Sequence, residues 1–266
     1  MKGLKDKIVL VTGGAKGLGK AMATRFLQEG ATVVIADVDA EASAATVEEL
    51  GTLGPIEAYQ IDLRDADAIE AMVDYVAEKY GRIDIAVNNA GVQIHGWATE
   101  FPLEKFDMML SLNLRAYYLV ARAAARYMKK QGGGSIVCIS SGNSQRYTTR
   151  RSPYNITKAG INGLVGTLAV EWGRFNIRIN GVAPGFVDTE LFRVGVKNGI
   201  IDVDNNMLVV PMKRMLEAEE IANGVAFLAS EEASGVTGQV LFIDGGRSRA
   251  GLPEKKDMEA GLPLVE

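Results

Sequence analysis

The sequence predicts an α/β fold in which short buried strands alternate with amphipathic helices. The strand candidates are β-branched apolar runs without polar alternation, which is typical of strands buried on both faces of a sheet. Helical patterns fill the gaps between them, and two of these patterns stop at Gly30 and Gly81. Such alternation implies a mostly parallel, doubly wound sheet of the Rossmann type, with right-handed crossovers and helices on both faces.

Seven strands are predicted along the chain. They cover residues 8–11, 32–36, 56–61, 83–87, 135–140, 177–182 and 240–243. The first helix is indicated by Leu18, Met22 and Phe26, which recur every four residues. A later helical run covers residues 110–127. We expect one domain over residues 1–246 and a charged C-terminal tail over residues 247–266, because no Pro- or Ser-rich linker interrupts the alternation.

Composition excludes several classes of protein. The 266 residues are 47% hydrophobic and 23% charged, as in an ordinary globular protein, and the net charge of −4 does not favour nucleic acid as a partner. The single cysteine, Cys138, cannot form an internal disulfide, so a reducing, cytoplasmic compartment is expected. No apolar run reaches the roughly 18 residues of a membrane span, and the start has no secretory pattern.

A glycine-rich loop joins the first strand to the first helix. It has the spacing G-x-x-x-G-x-G, with Gly13, Gly17 and Gly19 around Lys16 and Leu18. Glycines there permit a tight turn and let backbone N–H groups approach a pyrophosphate at the positive end of a helix. The alternative is a glycine-rich turn without a ligand.

An acidic residue, Asp37, ends the second strand about 20 residues after the glycines, where a ribose 2′-hydroxyl would be expected. Its carboxylate would accept hydrogen bonds from the ribose and repel a 2′-phosphate, which favours NAD over NADP. Lys16 argues in the other direction, since a cation in the loop could pair with that phosphate. A helix cap or a surface aspartate is the alternative for Asp37.

Two further strands end in polar residues. Asp62 follows the third strand and could accept from an adenine amino group, with Leu63 as an apolar contact, although an aspartate before a helix is commonly a cap. The fourth strand ends with Asn89, Ala90 and Gly91, a small polar exit that fits either a closely packed cofactor or a simple turn.

The strongest chemical pattern is Tyr154 followed by Lys158. These residues share a helix face at i and i+4, so the ammonium could stabilise a phenolate and lower the pKa of the tyrosine. Such a phenol can take a proton from an alcohol or give one to a ketone. The lysine could also bind the nicotinamide ribose, and an ordinary helix-face pair is the alternative.

Two polar residues accompany that pair. Ser141 follows the fifth strand and would face the crevice where open α/β sheets bind ligands, unless it is only a turn or cap residue. Asn113 lies within a helical run, where asparagine is unfavourable. Its amide could hold a water near Lys158, or it could bond a neighbouring carbonyl.

Together these residues resemble the short-chain dehydrogenase/reductase family, over about residues 5–246. The resemblance rests on the loop at 12–19, the Asp62-Leu63 pair, the segment 88–91, and the residues Asn113, Ser141, Tyr154 and Lys158. Pro184, Gly185, Val187 and Thr189 and the run 243–246 extend it.

The resemblance implies a catalytic tetrad of Asn113, Ser141, Tyr154 and Lys158. Tyr154 would be the acid/base, Ser141 would orient the substrate oxygen, Lys158 would bind the ribose and Asn113 would anchor a water. The segment 184–189 would cover the nicotinamide through Pro184, Gly185, Val187 and Thr189. Residues 89–91 would flank the adenosine side. Relatives are commonly tetramers, so a homotetramer is expected.

These residues and the resemblance together predict an NAD-dependent oxidoreductase that acts on a secondary alcohol and its ketone. An NADPH-dependent 3-oxoacyl or steroid-type carbonyl reductase is the alternative, and a non-catalytic nucleotide-binding protein is a third possibility. With one histidine and one cysteine, no metal site is expected.

Three variable segments, 92–101, 142–153 and 190–215, would form the substrate pocket by the same resemblance. Candidate contacts are His95, Trp97, Ser141 and Asn143, and a sugar, polyol, cyclic diol or hydroxy acid would fit. The arginines of the second segment could hold a carboxylate or phosphate, or could lie in solvent or at a subunit contact. These are Arg146, Arg150 and Arg151.

Overall fold

A parallel seven-stranded sheet forms the centre of the protein, as the sequence predicts. The computed structural model describes residues 1–197, 199 and 202–251. All strand pairs are parallel, and the strand order is β3-β2-β1-β4-β5-β6-β7. The strands are β1 (Ile8–Thr12), β2 (Thr32–Asp37), β3 (Ile56–Gln60), β4 (Ile85–Asn88), β5 (Gly134–Ile139), β6 (Ile177–Pro184) and β7 (Val240–Ile243).

Helices connect the strands in sequence order. They are α1 (Gly17–Gln28), α2 (Ala40–Leu50), α3 (Ala66–Tyr80), α4 (Leu103–Leu110), α5 (Ala116–Gln131), α6 (Ser152–Trp172), α7 (Glu190–Lys197), α8 (Val203–Met207) and α9 (Ala218–Ala229). Within the described residues, no helix combines the length and apolar composition needed to cross a bilayer.

Both faces of the sheet are covered by helices, which explains the unbroken apolar character of the strands. Along β1, Ile8 and Leu10 pack in a core with α3, α5 and α6, whereas Val9 and Val11 pack in a second core with α1 and α9. Alternate side chains of a strand point to opposite faces, so a strand between two helical layers has no polar side. The doubly wound arrangement is confirmed.

The strand order reverses between β1 and β4, because the chain leaves the sheet on one side of β1 and returns on the other. In open α/β sheets, ligands bind in the crevice at the carboxyl ends of the strands at such a switch point. The loops after β1, β2, β4, β5 and β6 therefore meet at one edge. Apart from Asp62 and Leu63, which follow β3, the predicted site residues belong to these loops, to the strand ends before them or to the helices next to them.

The helix that carries Asn113 departs from the predicted continuous run over residues 110–127. A π-helical turn at Ser111–Arg115 separates α4 from α5. At its centre, Asn113 is fully buried, and its amide bonds both the N–H and the C=O of Val92, at 2.9 and 2.8 Å. The π-helical turn thus contains Asn113, the residue whose side chain binds the backbone of the loop after β4. Such π-bulges are frequent at functional sites.

The predicted domain boundary at residue 246 stays a prediction. The described residues beyond it pack on the 142–153 segment, since the Arg146 guanidinium donates to the carbonyl of Ala250. The remaining part of the predicted tail, 252–266, and Ile200 and Ile201 of the third substrate segment lie outside the described residues.

Candidate active site

The glycine loop packs tightly against the end of β4. Gly13 has φ +63°, and a Cβ on it would stand 2.8 Å from the Cα of Ala90. A Cβ on Gly19 would stand only 1.9 Å from the carbonyl oxygen of Gly13, so no larger residue fits this turn of α1. The loop thus brings its backbone N–H groups to the start of the helix, which is the cradle that a pyrophosphate requires.

Side chains from β1 and β4 hold this loop in place. The Thr12 hydroxyl accepts from the backbone N–H groups of Asn89 and Ala90, at 2.9 and 3.3 Å, and donates to the carbonyl of Val87. The Asn89 amide donates to the carbonyls of Thr12 and Gly13, both at 3.0 Å. Asn89 and Ala90 therefore hold the glycine loop in position, whereas the sequence alone predicts only a cofactor contact or a simple turn here.

Asp37 reaches from the end of β2 to the glycine loop. Its carboxylate accepts from the backbone N–H of Ala15 at 3.2 Å and from that of Asp39 at 3.1 Å. Lys16, the cation that could bind the 2′-phosphate of NADP, forms an ion pair with Asp39 instead. Its ammonium lies 2.8 Å from the Asp39 carboxylate. That hydrogen bond raises the pKa of Lys16 and lowers the pKa of Asp39, on the protein surface.

Asp62 and Leu63 follow β3 as predicted, but neither side chain is free of other contacts. The Asp62 carboxylate accepts from the backbone N–H of Arg64 and pairs with the Arg64 guanidinium, which lowers its pKa. Leu63 is buried in the core beneath α3. Adenine recognition by these two residues stays a prediction.

The predicted reacting groups meet between β5 and α6. Ser141 follows β5 and its hydroxyl accepts from the backbone N–H of Asn143 at 3.1 Å. Tyr154 lies in the first turn of α6 and is partly buried. The pKa of its phenol is raised, because the effect of burial outweighs the lowering effects of the neighbouring Ser141 hydroxyl and of the positive charge of Arg151. The lowered pKa that the Tyr154–Lys158 spacing predicts is therefore not found. Proximity of these groups is the arrangement that acid/base chemistry on an alcohol oxygen requires.

Lys158 is buried and lies next to the tyrosine. Its ammonium donates to the carbonyl of Ile139 at 2.7 Å, contacts the Tyr117 hydroxyl at 3.4 Å, and stands 5.7 Å from the centre of the Tyr154 ring. Burial lowers the pKa of Lys158 to about 7. Burial removes the water that would otherwise surround the ammonium. The Ile139 carbonyl and the Tyr117 hydroxyl therefore hold the Lys158 side chain in position.

Asn113 joins the same cluster through α6. Besides its bonds to Val92, its amide nitrogen lies 3.5 Å from the Thr157 hydroxyl, which donates to the carbonyl of Tyr154 at 2.8 Å. All four residues of the predicted tetrad are thus brought together. Asn113 is connected to Tyr154 through Thr157, and Lys158 is connected to β5 through Ile139.

Tyr117 is a positioning residue that the sequence analysis missed. It is fully buried, and its hydroxyl contacts both the Lys158 ammonium and, at 3.3 Å, the carbonyl of Ile139. Burial raises the pKa of this phenol well above its ordinary value, so it stays protonated. Its spacing could have identified it, because Tyr117 follows Asn113 by four residues on the same helical face.

The segment after β6 lies over the same edge of the sheet. A Cβ on Gly185 would stand 2.6 Å from the Cα of Asp244, so this turn packs closely on the end of β7. Val187 is buried, and the Thr189 hydroxyl accepts from the backbone N–H of Phe192 at the start of α7. Pro184 ends β6. Cofactor contact by the segment 184–189 stays a prediction.

The candidate substrate residues come from two loops that touch each other. The backbone N–H of Gly96 donates to the carbonyl of Arg150, whose guanidinium lies 5.8 Å from the exposed ring of Trp97. His95 is hydrogen-bonded to Gln93, and burial followed by the charges of Arg151 and Arg150 lowers its pKa. Asn143 is buried beside Ser141. Among the described residues, no group of three acidic, histidine or cysteine side chains could hold a metal ion.

Comparison with known proteins agrees with this geometry. The sequence profile of a family described as enoyl-(acyl carrier protein) reductase matches residues 13–248. A 3-oxoacyl-[acyl-carrier-protein] reductase of Thermotoga maritima is 38% identical over 244 residues, which is 91% of this chain and 98% of that protein. Levodione reductase of Leifsonia aquatica is 39% identical over 256 residues, which is 92% of this chain and 95% of that protein.

A solved structure of 7α-hydroxysteroid dehydrogenase with NADH and 7-oxo-glycochenodeoxycholic acid superposes with a TM-score of 0.86 at 32% identity, covering 94% of this chain and 96% of that one. The fold, the glycine cradle and these relatives define an oxidoreductase that acts on CH–OH and carbonyl groups with a nicotinamide cofactor. The chain belongs to the short-chain dehydrogenase/reductase family, as its motifs predict.

The burial of Lys158 makes the stability of the protein depend on pH. Its pKa is about 7 in the folded protein and 10.5 when unperturbed, so between these values the unfolded chain binds a proton that the folded protein has released. The free energy of unfolding therefore rises with pH across this window, by at most about 1.4 kcal/mol per pH unit. Lys158→Met removes this dependence, because methionine carries no charge.

We expect Lys158→Met to be more stable than the wild type below about pH 7 and to lose that advantage progressively toward about pH 10. Urea unfolding of both proteins without nucleotide, at a series of pH values, measures the difference. Lys105→Met, which replaces an exposed lysine of α4, is the control. A difference between Lys158→Met and wild type that does not vary with pH contradicts the expectation.

Proposed function

We propose that the protein transfers a hydride between a secondary alcohol and the corresponding ketone, with NAD as cofactor and Tyr154 as the acid/base. The observation that carries this proposal is the position of the Tyr154 phenol, beside Ser141 and Lys158 at the carboxyl end of β5. A sugar, polyol, cyclic diol or hydroxy acid is the expected type of substrate.

The glycine cradle fits the pyrophosphate of a dinucleotide. Gly13, Gly17 and Gly19 would approach it with backbone N–H groups, Asp37 would accept from the adenosine ribose, and Lys158 would bind the nicotinamide ribose. Lys16 and Leu18 would line the loop, and residues 89–91, with Asp62 and Leu63, would lie along the adenosine. Bound nicotinamide supplies or accepts the hydride.

The chain's own residues handle the proton and orient the substrate. In alcohol oxidation, the Tyr154 phenolate takes the hydroxyl proton as the carbinol hydrogen leaves as hydride, and in ketone reduction the phenol returns that proton. Ser141 donates to the substrate oxygen and stabilises its developing charge. Burial has the largest effect on the phenol and keeps the pKa of Tyr154 above its ordinary value, and the Ser141 hydroxyl and the Arg151 charge partly offset that effect in favour of the phenolate. Asn113 fixes the loop at Val92 and would anchor a water.

Removal of the phenol tests the acid/base role. Tyr154→Phe is expected to lower kcat by about 10²- to 10⁴-fold, because general acid–base help is lost while the surrounding contacts remain. The measurement is NADH absorbance with the best alcohol or ketone of a panel, together with NADH binding, which should be unchanged. Tyr75→Phe, on an exposed tyrosine of α3, is the control. A Tyr154→Phe variant that keeps most of its turnover rules out the role.

Use of NAD rather than NADP is supported by the position of Asp37 at the glycine loop and by the engagement of Lys16 with Asp39. The structure of the 7α-hydroxysteroid dehydrogenase, which contains NADH, agrees with that choice. The name of the 3-oxoacyl reductase keeps an NADPH-linked carbonyl reductase as the second candidate. A reducing, cytoplasmic compartment is proposed because the single cysteine, Cys138, cannot form an internal disulfide.

Replacement of Asp37 distinguishes the two cofactors. Asp37→Ser is expected to shift the ratio of kcat/KM for NAD and NADP toward NADP by about 10-fold or more, because hydrogen bonds to the ribose and the repulsion of a 2′-phosphate are both lost. Asp67→Ser, on the exposed first turn of α3, should leave the ratio unchanged. Wild-type preference for NADPH would contradict the choice of NAD directly.

We expect a homotetramer. The helices α4–α6 leave apolar side chains in water, including Leu103, Tyr118, Ile156 and Val170, the last with 85% of its surface exposed. The stripe formed by Ile161, Val165 and Leu168 is already buried in the core, so these others would need a partner. Equilibrium sedimentation should give a mass near four chains. A single 28.5 kDa species at assay concentration contradicts this expectation.

A further inference from the structure

A buried arginine stands behind the candidate catalytic serine. Arg247, just past the end of the predicted domain, has only 8% of its surface exposed. Its guanidinium lies 4.9 Å from the centre of the Phe186 ring and donates to the carbonyl of Arg146 at 3.3 Å and to the Thr148 hydroxyl at 3.5 Å. These contacts fix the side chain but add no negative charge.

The guanidinium is close to the reacting groups. One of its terminal nitrogens lies 3.0 Å from the position that a Cβ on Gly142 would occupy, and Gly142 follows Ser141 directly. Arg151 is the N-cap residue of α6, three residues before Tyr154, and its charge acts on both the Tyr154 phenol and Arg247. Together with Arg146, these two arginines form a positively charged cluster. Burial lowers the pKa of Arg247, and the charges of Arg151 and Arg146 lower it further.

The cluster has an excess of positive charge. Within residues 1–197, 199 and 202–251, no carboxylate lies within ion-pairing distance of Arg146, Arg151 or Arg247. The acid that acts on Arg247 is Asp244, and its carboxylate is engaged by the backbone N–H groups of Gly246 and Ser248. Burying a charge costs free energy unless an opposite charge joins it, so this group of arginines favours a bound anion.

The arginine cluster also has an uncharged hydrogen-bond donor beside it, the side-chain amide of Asn143. Asn143 has 4% of its surface exposed, and its amide oxygen accepts from the Thr148 hydroxyl at 3.3 Å. Its amide nitrogen is buried and has no hydrogen-bond partner among the described residues. Guanidinium groups donate and cannot accept, and this amide has a donor to spare. A ligand rich in acceptors, with a negative charge, matches these groups.

We propose that the substrate carries an oxyanion, a carboxylate or a phosphate, which Arg151 and Arg247 bind beside Ser141 with the help of the Asn143 amide. This inference rests on the proposed function, since it identifies the class of substrate for the same site. Of the substrate types considered above, it selects acidic or phosphorylated compounds over neutral polyols and cyclic diols. Planar guanidinium groups suit such anions because they can donate two parallel hydrogen bonds.

The experiment measures binding before turnover. The NADH-loaded protein, whose cofactor site is filled, is titrated calorimetrically with succinate, with inorganic phosphate and with neutral 1,4-butanediol. At least one oxyanion should bind about 10-fold or more tightly than the diol, and added salt should weaken that binding. Arg151→Gln should weaken it about 10- to 100-fold, as expected for a lost hydrogen bond to a charged group.

Three variants separate binding from folding. Arg174→Gln, on an exposed arginine beyond the end of α6, should bind the oxyanion like the wild type. Arg151→Lys keeps the positive charge but loses the planar guanidinium with its paired donors. Its affinity for the oxyanion should fall between those of the wild type and Arg151→Gln. Arg247→Gln, if its thermal unfolding matches the wild type, should weaken binding as Arg151→Gln does. Oxyanion binding no tighter than that of the diol, or equal in wild type and Arg151→Gln, overturns the proposal.

Turnover then identifies the source of the oxyanion. Erythritol, erythronate and erythritol 4-phosphate are compared as substrates with NAD, and a higher kcat/KM for the acid or for the phosphate ester distinguishes the two anions. A higher kcat/KM for erythritol than for both anions counts against the proposal. Tyr154→Phe should still bind the oxyanion probe. Wild-type-like turnover in that variant would refute the acid/base role, while probe binding would still report on the arginines alone.

Discussion

The buried ammonium of Lys158 is the interaction around which the reacting groups are arranged. Burial deprives the charge of water, and the carbonyl of Ile139 and the hydroxyl of Tyr117 take its place. These contacts tie α6 to β5 and α5 at one point, so that Tyr154, one turn earlier on α6, is held near Ser141. A group that is costly to bury must have its donors satisfied, and this requirement fixes the geometry of the helix that carries the phenol.

The sheet supplies the second constraint, because parallel strands place all their carboxyl ends at one edge. Thr12 and Asn89, at the ends of β1 and β4, bind each other's loops and leave no space for a side chain on Gly13 or Gly19. The nucleotide cradle and the reacting groups therefore depend on the same strand order. The positively charged Arg151 and Arg247 lie at this edge too, near the residues that follow β5.

Much of the fold could be predicted from the sequence, because most of its elements are marked by short patterns of residue types. All seven strands were predicted from apolar runs, and the predicted ends differ from the observed ones by at most two residues. A strand that helices cover on both faces consists almost entirely of apolar residues, so it is easily recognised in the sequence. The start of α1 followed from its glycines. The π-helical turn at Asn113 was not predicted, since a periodicity of 3.6 residues continues through it and only the contact with Val92 requires the extra residue.

The sequence by itself determined the parallel sheet, the glycine cradle, the acidic end of β2 and the Tyr154–Lys158 spacing, because each is predicted by a pattern of residue types within a short stretch of chain. Tertiary structure alone decided that Lys16 pairs with Asp39, that Tyr117 supports Lys158, and that Arg247 returns from the C-terminal end of the fold to lie behind Ser141. Such contacts join residues far apart in the chain. Hydrogen bonds and charges act through space, and only the packed sheet brings those partners within range of one another.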